Sequence, residues 1–175
     1  MTMKARVKSA ARSLGAVLAI EPRSPEETDV LDTLKDEHNE VKALLQELEE
    51  ANGKTQRRLL VERIAAALVP HSKAEEKVVY DAILALREKS AQVDGHEGYL
   101  EHELAAKTLQ RLEKIVDADS AEHRAAGKVL KELLTHHIKE EEANVWKDVK
   151  AHFSDEDRRQ MNMRFLAAKA RVNVH

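Results

Sequence analysis

A histidine followed four residues later by the first glutamate of a Glu-Glu pair occurs in two regions of the chain. The first copy is His71 with Glu75, and the second copy is His137 with Glu141. Residues i and i+4 lie on the same face of a helix, so each copy directs an imidazole and a carboxylate toward one point. Two copies that face each other would form a pocket of nitrogen and oxygen ligands, which suits a divalent transition metal.

These two pairs belong to an internal duplication of the chain. A shift of 66 residues superimposes the second pair on the first, and a shift of 64 residues superimposes two further histidines that lie upstream. The matched positions are His38 with His102, His71 with His137, and Glu75 with Glu141. Each half is therefore predicted to be a helical hairpin. Two facing hairpins would supply four imidazoles and two carboxylates, enough for two metal ions if the carboxylates bridge them.

The duplication also decides between neighbouring candidates. His136 has a glutamate four residues later as well, but the repeat aligns His136 with Pro70 and His137 with His71, so His137 is the predicted ligand. Glu76 and Glu142 are left open between two roles, orienting a ligand or lying on a solvated edge. Four histidines outside the pattern are predicted to be surface residues: His96, His123, His152 and His175.

The elements that must position these residues are helices. The chain has 175 residues, is rich in Ala, Leu, Glu, Lys and Arg, and contains 3% aromatic residues and five glycines, which argues against a β protein. Its apolar residues recur at spacings of three and four, as the core of a helical bundle requires. We therefore predict an all-α fold, an antiparallel up-down-up-down four-helix bundle with an N-terminal arm and a short C-terminal fifth helix.

Capping residues and glycines set the predicted boundaries. Ser24 before Pro25 is predicted to cap the first helix, Asp119-Ser120 the fourth and Ser154 the fifth, while Asp94-Gly95 is predicted to open the third. The predicted helices cover about 25–51, 55–89, 94–116, 120–152 and 155–171. The predicted organisation is a basic arm at 1–23, the bundle at 24–153, and a C-terminal helix and tail at 154–175.

The apolar stripe of each long helix is interrupted by a histidine, and two stripes are also interrupted by a glutamate. A carboxylate buried without a partner costs several kcal/mol, so acids on this face require a compensating positive charge. A bound cation would supply that charge. The pattern therefore favours metal ligands over surface ion pairs.

Composition excludes several other classes of protein. The chain has no cysteine, which excludes disulfides, thiolate metal sites and cysteine nucleophiles. Its formal charge of −3 comes from 35% charged residues of both signs, so we expect no binding to nucleic acid or membranes. Basic residues precede the apolar stretch 14–20, the order found in signal peptides, but Gly15 interrupts the stretch and no cleavage site follows. We therefore expect a cytoplasmic protein with a basic N-terminal arm.

Four fragments of the chain resemble the hemerythrin-like HHE cation-binding family: 35–38, 71–80, 101–102 and 137–146. The resemblance implies a non-haem di-iron centre inside a four-helix bundle, with two oxo- or hydroxo-bridged irons; manganese and zinc are alternatives. Members of the family bind O₂, respond to oxygen or nitric oxide, react with peroxide, or sense iron. The ligands carried over by the match are His38, His71, Glu75, His102, His137 and Glu141.

The chain departs from the oxygen-carrying hemerythrins at two positions. Their third helix supplies two histidines four residues apart, whereas His102 is followed by Ala106 here, and their last motif ends in an aspartate, whereas Glu141 stands here. We therefore expect binding of O₂, peroxide or NO for sensing, storage or detoxification, with no catalytic residue assigned. One alternative is an interaction module with a structural or vestigial metal, binding a protein partner or forming a homodimer through the fifth helix. Another is a di-iron peroxide or nitric oxide reductase.

Overall fold

The computed structural model describes residues 24–173, and all regular structure within that range is helical. This confirms the predicted all-α class. The helices are α1 (Val30–Glu50), α2 (Lys54–Glu75), α3 (Asp81–Leu84), α4 (Lys89–Lys114), α5 (Ala121–Ala143), α6 (Val145–His152) and α7 (Asp155–Lys169). A π-helical turn, Glu76–Tyr80, joins α2 to α3. In this part of the chain no helix is long and apolar enough to cross a membrane. The predicted basic arm, 1–23, lies outside the described residues.

The four long helices surround a common core. Helix α1 packs against α2 and α5, and α4 packs against the same two helices. The connections that join α1 to α2 and α4 to α5 span only residues 51–53 and 115–120, so each of these pairs is a hairpin of antiparallel helices. The short helix α7 lies across α1, α2 and the π-helical turn.

The predicted start of the first helix is wrong. Ser24 does not cap a helix; instead its carbonyl accepts a hydrogen bond from Glu27 N at 3.0 Å and closes a turn. Helix α1 begins at Val30 because the Asp29 side chain accepts the backbone N–H of Leu31 at 2.9 Å. The predicted caps at Ser120 and Ser154 are confirmed, since each side chain accepts a backbone N–H of the first helical turn.

The predicted start of the third long helix is also wrong. Helix α4 already begins at Lys89, so the glycines at 95 and 98 lie inside it. They are there for close packing, because a Cβ at position 98 would lie 2.6 Å from Tyr80 Cζ. The second helix ends earlier than predicted, at Leu84 rather than Lys89. The predicted fourth helix is divided at Asn144 into α5 and α6.

Two apolar clusters form the core, one at each end of the bundle. The cluster around Leu45, Ile64 and Leu130 fills the end where α1 meets α2, and the cluster around Leu34, Tyr80 and Phe165 fills the end covered by α7. Fully burying one such side chain stabilises the fold by about 1.5–3 kcal/mol. The polar positions that interrupt the apolar stripes lie between these clusters.

A buried arginine closes the end of the bundle opposite α7. Arg57 Nη1 donates to Leu48 O at 2.7 Å, and Arg57 Nε donates to Ala118 O at 2.8 Å, so the side chain ties the end of α1 to the α4–α5 connection. Arg57 Nη2 lies 3.1 Å from His123 Nδ1. The prediction that His123 is a surface residue is therefore wrong: only 1% of it is exposed. His96 and His152 do lie at the surface, and His175 is outside the described residues.

Candidate metal centre

The fold brings all six predicted ligands to one place inside the bundle. Each of them is at most 4% exposed. One histidine comes from α1 and one from α4, while α2 and α5 each contribute a histidine and the glutamate four residues later. The six residues are His38, His71, Glu75, His102, His137 and Glu141. They form a polar layer that separates the two apolar clusters.

Each buried carboxylate lies between imidazoles of both hairpins. Glu75 Oε2 is 3.4 Å from His71 Nε2 of its own hairpin and 3.4 Å from His102 Nε2 of the other. Glu141 Oε2 is 3.8 Å from His137 Nε2 of its own hairpin and 3.3 Å from His38 Nε2 of the other. This crossed arrangement repeats the duplication of the sequence as a pseudo-twofold relation in space.

The layer contains buried polar atoms that lack hydrogen-bond partners among the described residues. They are His38 Nε2, both carboxylate oxygens of Glu75, and Glu141 Oε2. Leaving such buried polar atoms without hydrogen-bond partners is costly. Their lone pairs are ligands for a cation. Two groups of three residues have ligand atoms that all lie within 4.8 Å of one another. The first group is His38, His71 and Glu75, and the second is Glu75, His102 and His137. The residues therefore fit a divalent metal site.

Four outer glutamates hold the four imidazoles in place through Nδ1. Within each hairpin, Glu37 Oε2 lies 3.0 Å from His71 Nδ1, and Glu101 Oε2 lies 2.7 Å from His137 Nδ1. Between hairpins, Glu142 Oε1 lies 3.2 Å from His38 Nδ1 and Glu76 Oε1 lies 3.3 Å from His102 Nδ1. A carboxylate at Nδ1 fixes the ring orientation and leaves Nε2 free to bind metal.

The sequence had predicted this outer set only in part. Glu76 and Glu142 were left open between an orienting and a solvated role, and the structure places both against imidazoles. Glu37 was not predicted to contact a ligand. Its alignment with Glu101 under the 64-residue shift was the available signal. His136 has an exposed side chain that lies 3.5 Å from Glu101, so it does not enter the layer.

The pKa values of the two buried carboxylates are shifted in opposite directions. Burial alone would raise the pKa of Glu75, but the charge of His71 and the imidazole of His102, whose Nε2 lies 3.4 Å away, outweigh it and hold that pKa well below its usual value. Burial and the charge of Glu75 raise the pKa of Glu141. Burial alone would lower the pKa of His71, yet the charge of Glu75 and the hydrogen bond with Glu37 raise it to about 10. The two buried carboxylates thus favour a positive charge beside them.

Two aromatic residues at equivalent repeat positions close the layer. Trp146 stacks on His38 with ring centroids 5.8 Å apart, and its Nε1 donates to Glu141 Oε1 at 3.2 Å. The Tyr80 ring lies 5.3 Å from that of His102, and its buried hydroxyl has no hydrogen-bond partner among the described residues. Both rings were predicted to close one end of the core, and both are buried there.

A helical bundle with paired histidines and carboxylates in its interior defines a class of metal-binding domain. The family described as Hemerythrin HHE cation binding domain matches residues 29–147. The chain therefore belongs to the hemerythrin HHE cation-binding domain family.

A curated relative extends the comparison beyond the family. The chain is 24% identical over 147 residues to a protein named DNA nickase from Nostoc sp. (strain PCC 7120 / SAG 25.82 / UTEX 2576). The aligned region covers 84% of this chain but 41% of that protein, so the chain spans less than half the length of this relative. No solved structure gives a significant match.

Proposed function

We propose that this chain is a hemerythrin-like protein whose six inner residues hold two iron ions that bind O₂ or a related small oxidant. The observation that carries the proposal is that buried nitrogen and oxygen atoms without hydrogen-bond partners lie among residues whose ligand atoms form two groups within 4.8 Å of one another. A surface ion pair or a satisfied core histidine would leave no such atoms. The family match supports cation binding, and the choice of iron rests on the mixture of imidazole and carboxylate ligands.

Two ions are favoured over one by the position of the carboxylates. Glu75 belongs to both groups of ligand atoms, and Glu141 lies between His38 and His137. Each carboxylate would therefore be available as a ligand to an ion held by either hairpin. Two divalent ions and two carboxylates leave a net charge of +2, which favours a small anionic ligand.

The chain's own residues prepare the ligands and limit access to them. The outer glutamates accept Nδ1–H of the imidazoles, which keeps the Nε2 lone pairs directed inward and makes them more basic. The buried rings of Trp146 and Tyr80 pack against His38 and His102 and limit solvent access at that end of the layer. Bound iron would supply the capacity to exchange electrons with O₂, peroxide or NO.

Anaerobic loading of the metal-free protein with Fe²⁺ tests the proposal. We expect about two irons per chain, as the ligand count requires, and a new near-ultraviolet absorption band on exposure to O₂. Glu75→Ala should abolish both, whereas Glu40→Gln, a change at an exposed position of α1, should alter neither. A wild-type protein that retains one iron or none contradicts the di-iron proposal.

The same preparations separate the two alternative functions. A vestigial site predicts a metal-free form that melts at the temperature of the loaded form, whereas a structural metal predicts a loaded form that melts higher but gains no absorption band on exposure to O₂. A reductase predicts multiple turnovers of hydrogen peroxide or NO that are lost in Glu75→Ala. DNA nicking is the named activity of the longer relative, and no feature of the inner layer favours it here. A cytoplasmic location stays a prediction.

A further inference from the structure

A crevice runs from the surface toward the metal-binding layer between α4 and the junction of α5 with α6. It is narrow, with a cavity volume of about 10 Å³, which is room for about one water molecule, and five of its lining residues carry carboxylates. Glu97 is exposed at its mouth, and Asp94 and Glu140 are half-buried behind it. Glu101 and Glu141 line its inner part, next to His137. The acidic side chains thus lead to two residues of the inner layer.

Unpartnered polar atoms in the crevice wall indicate a ligand independently of the acidic residues. The Tyr80 hydroxyl and Glu141 Oε2 belong to lining residues that are 0% and 3% exposed, and neither atom has a hydrogen-bond partner among the described residues. A buried hydroxyl without a partner destabilises the fold unless a ligand or water occupies the space beside it. The wall therefore contains oxygen atoms with free lone pairs at its buried end.

The pseudo-twofold relation shows that this side of the bundle differs from the equivalent side. The positions that match Asp94, Glu97 and Glu140 in the other half are Val30, Thr33 and Ala74. The other side thus lacks the three carboxylates that line the mouth of the crevice.

Helix α7 covers that other side. Phe165 of α7 packs against His71 with ring centroids 6.0 Å apart, Thr33 Oγ1 donates to Asn162 Oδ1 at 2.7 Å, and Lys169 Nζ lies 2.7 Å from Glu37 Oε1. Helix α7 packs mainly on α1, α2 and the π-helical turn, and Glu97 at the mouth of the acidic crevice is exposed. The two sides of the layer therefore differ: the side with the crevice is open and acidic, and the equivalent side is covered by α7.

We propose that the acidic crevice is the passage through which a divalent cation reaches the buried ligands. This inference rests on the proposed function, because it requires the inner layer to bind metal. Carboxylates lining a cleft focus the electric field and raise the rate of association of an oppositely charged ligand by about 10- to 1,000-fold. Their oxygens also offer successive weak ligands to a cation that is losing its water. Burial and the charges of Asp148 and Glu140 raise the pKa of Asp94, consistent with a negative potential in the crevice.

The rate of metal uptake tests the passage, and the chain contains its own probe. Trp146 is the sole tryptophan of the chain and donates to Glu141, so metal binding should change its fluorescence. Metal-free protein is mixed with Fe²⁺ in an anaerobic stopped-flow instrument. Removing three charges with Asp94→Asn/Glu97→Gln/Glu140→Gln should slow uptake by about tenfold and leave the final iron content unchanged.

Matched controls distinguish an effect of the crevice charges on the uptake rate from an effect of the total charge or of impaired folding. Glu47→Gln/Glu113→Gln/Glu132→Gln removes the same charge at exposed positions outside the crevice and should take up iron at the wild-type rate. The single change Glu97→Lys affects an exposed side chain and should also slow uptake, while Glu113→Lys should not.

The ionic-strength dependence of uptake is the second readout. Added salt should slow uptake in the wild type and have less effect in the triple crevice variant, because salt screens the field that the variant lacks. Crevice variants that take up iron at the wild-type rate would overturn the passage while leaving the metal site intact. A wild type that binds no iron would overturn the proposed function itself.

Discussion

Removal of the charge at Glu101 should weaken metal binding by an amount that depends on what replaces it. Of the four contacts between an outer carboxylate and Nδ1, that of Glu101 with His137 is the shortest, at 2.7 Å. A hydrogen bond to a charged group contributes about 1.5–3 kcal/mol, against about 0.5–1.5 kcal/mol for a neutral one. Glutamine keeps an acceptor oxygen but loses the charge. We therefore expect Glu101→Gln to lower metal affinity about tenfold, or about 1.4 kcal/mol.

Glu101→Leu leaves the Nδ1–H of His137 without an acceptor and should cost more. The expected loss is about 100-fold, or about 2.8 kcal/mol, at the upper end of the effect of removing such outer partners. Glu103→Gln changes the same charge two residues away, where the exposed side chain pairs with Lys107, and should leave affinity unchanged.

Anaerobic competition between the protein and a chelator of known Fe²⁺ affinity measures these losses at equilibrium. They are therefore independent of any change in the rate of uptake through the crevice. Equal affinities for wild type, Glu101→Gln and Glu101→Leu would refute the reasoning, because the outer carboxylate would then not support the ligand. A loss in Glu103→Gln as large as that in Glu101→Gln would also refute it, since net charge alone would explain the effect.

Four further predictions concern stability and partners. Tyr80→Phe removes a buried hydroxyl without a described partner and should raise the free energy of unfolding of the metal-free protein by about 1 kcal/mol in urea titrations; destabilisation would contradict this. Burial and the charge of Arg57 lower the pKa of His123, so the folded state disfavours its protonation; stability should fall as the pH drops below about 6.5, and His123→Gln should reduce that slope. Chelation of bound metal should lower the melting temperature measured by scanning calorimetry. At a free metal concentration about 100 times Kd, each site contributes about 2.7 kcal/mol to the free energy of unfolding, and chelation removes that contribution. Glu141→Ala should show no such effect. Anisotropy titration with a labelled DNA duplex at physiological salt should show no binding tighter than about 1 µM; tighter binding would overturn the expectation from net charge.

The clustering of the six inner residues was predictable because their positions obey two periodicities at once. His71 and Glu75 share a helical face, and the repeat places the same pair at His137 and Glu141 in register with the apolar stripe. A polar residue in such a stripe must be buried if the helix packs at all. The polar residues in the apolar stripes therefore predicted a buried polar layer from the sequence alone. The duplication predicted His38 and His102 in the same way.

Local signals were weaker guides at helix ends and at single polar residues. Ser24 has the sequence of a cap, but Asp29 forms the cap that the fold uses, and the Asp29 side chain also binds Arg158 of α7 at 2.6 Å. Gly95 has the sequence of a boundary, but it lies inside α4 where Leu84 approaches closely. His123 has no periodic partner in the sequence, and its burial depends on Arg57, which lies 66 residues away along the chain. Contacts of this range have no signature in a local pattern.

The sequence by itself determined the helical class, the duplication and the residues that interrupt the core, because spacing along a helix fixes which side chains share a face. Tertiary structure decided which residues of the other hairpin each side chain contacts. Glu76 reaches His102, Glu142 reaches His38, and each inner carboxylate lies between imidazoles of both hairpins. It also decided that α7 covers one approach to the layer and leaves the acidic approach open. These outcomes depend on how helices distant in the chain pack together, and helical periodicity carries no information about that packing.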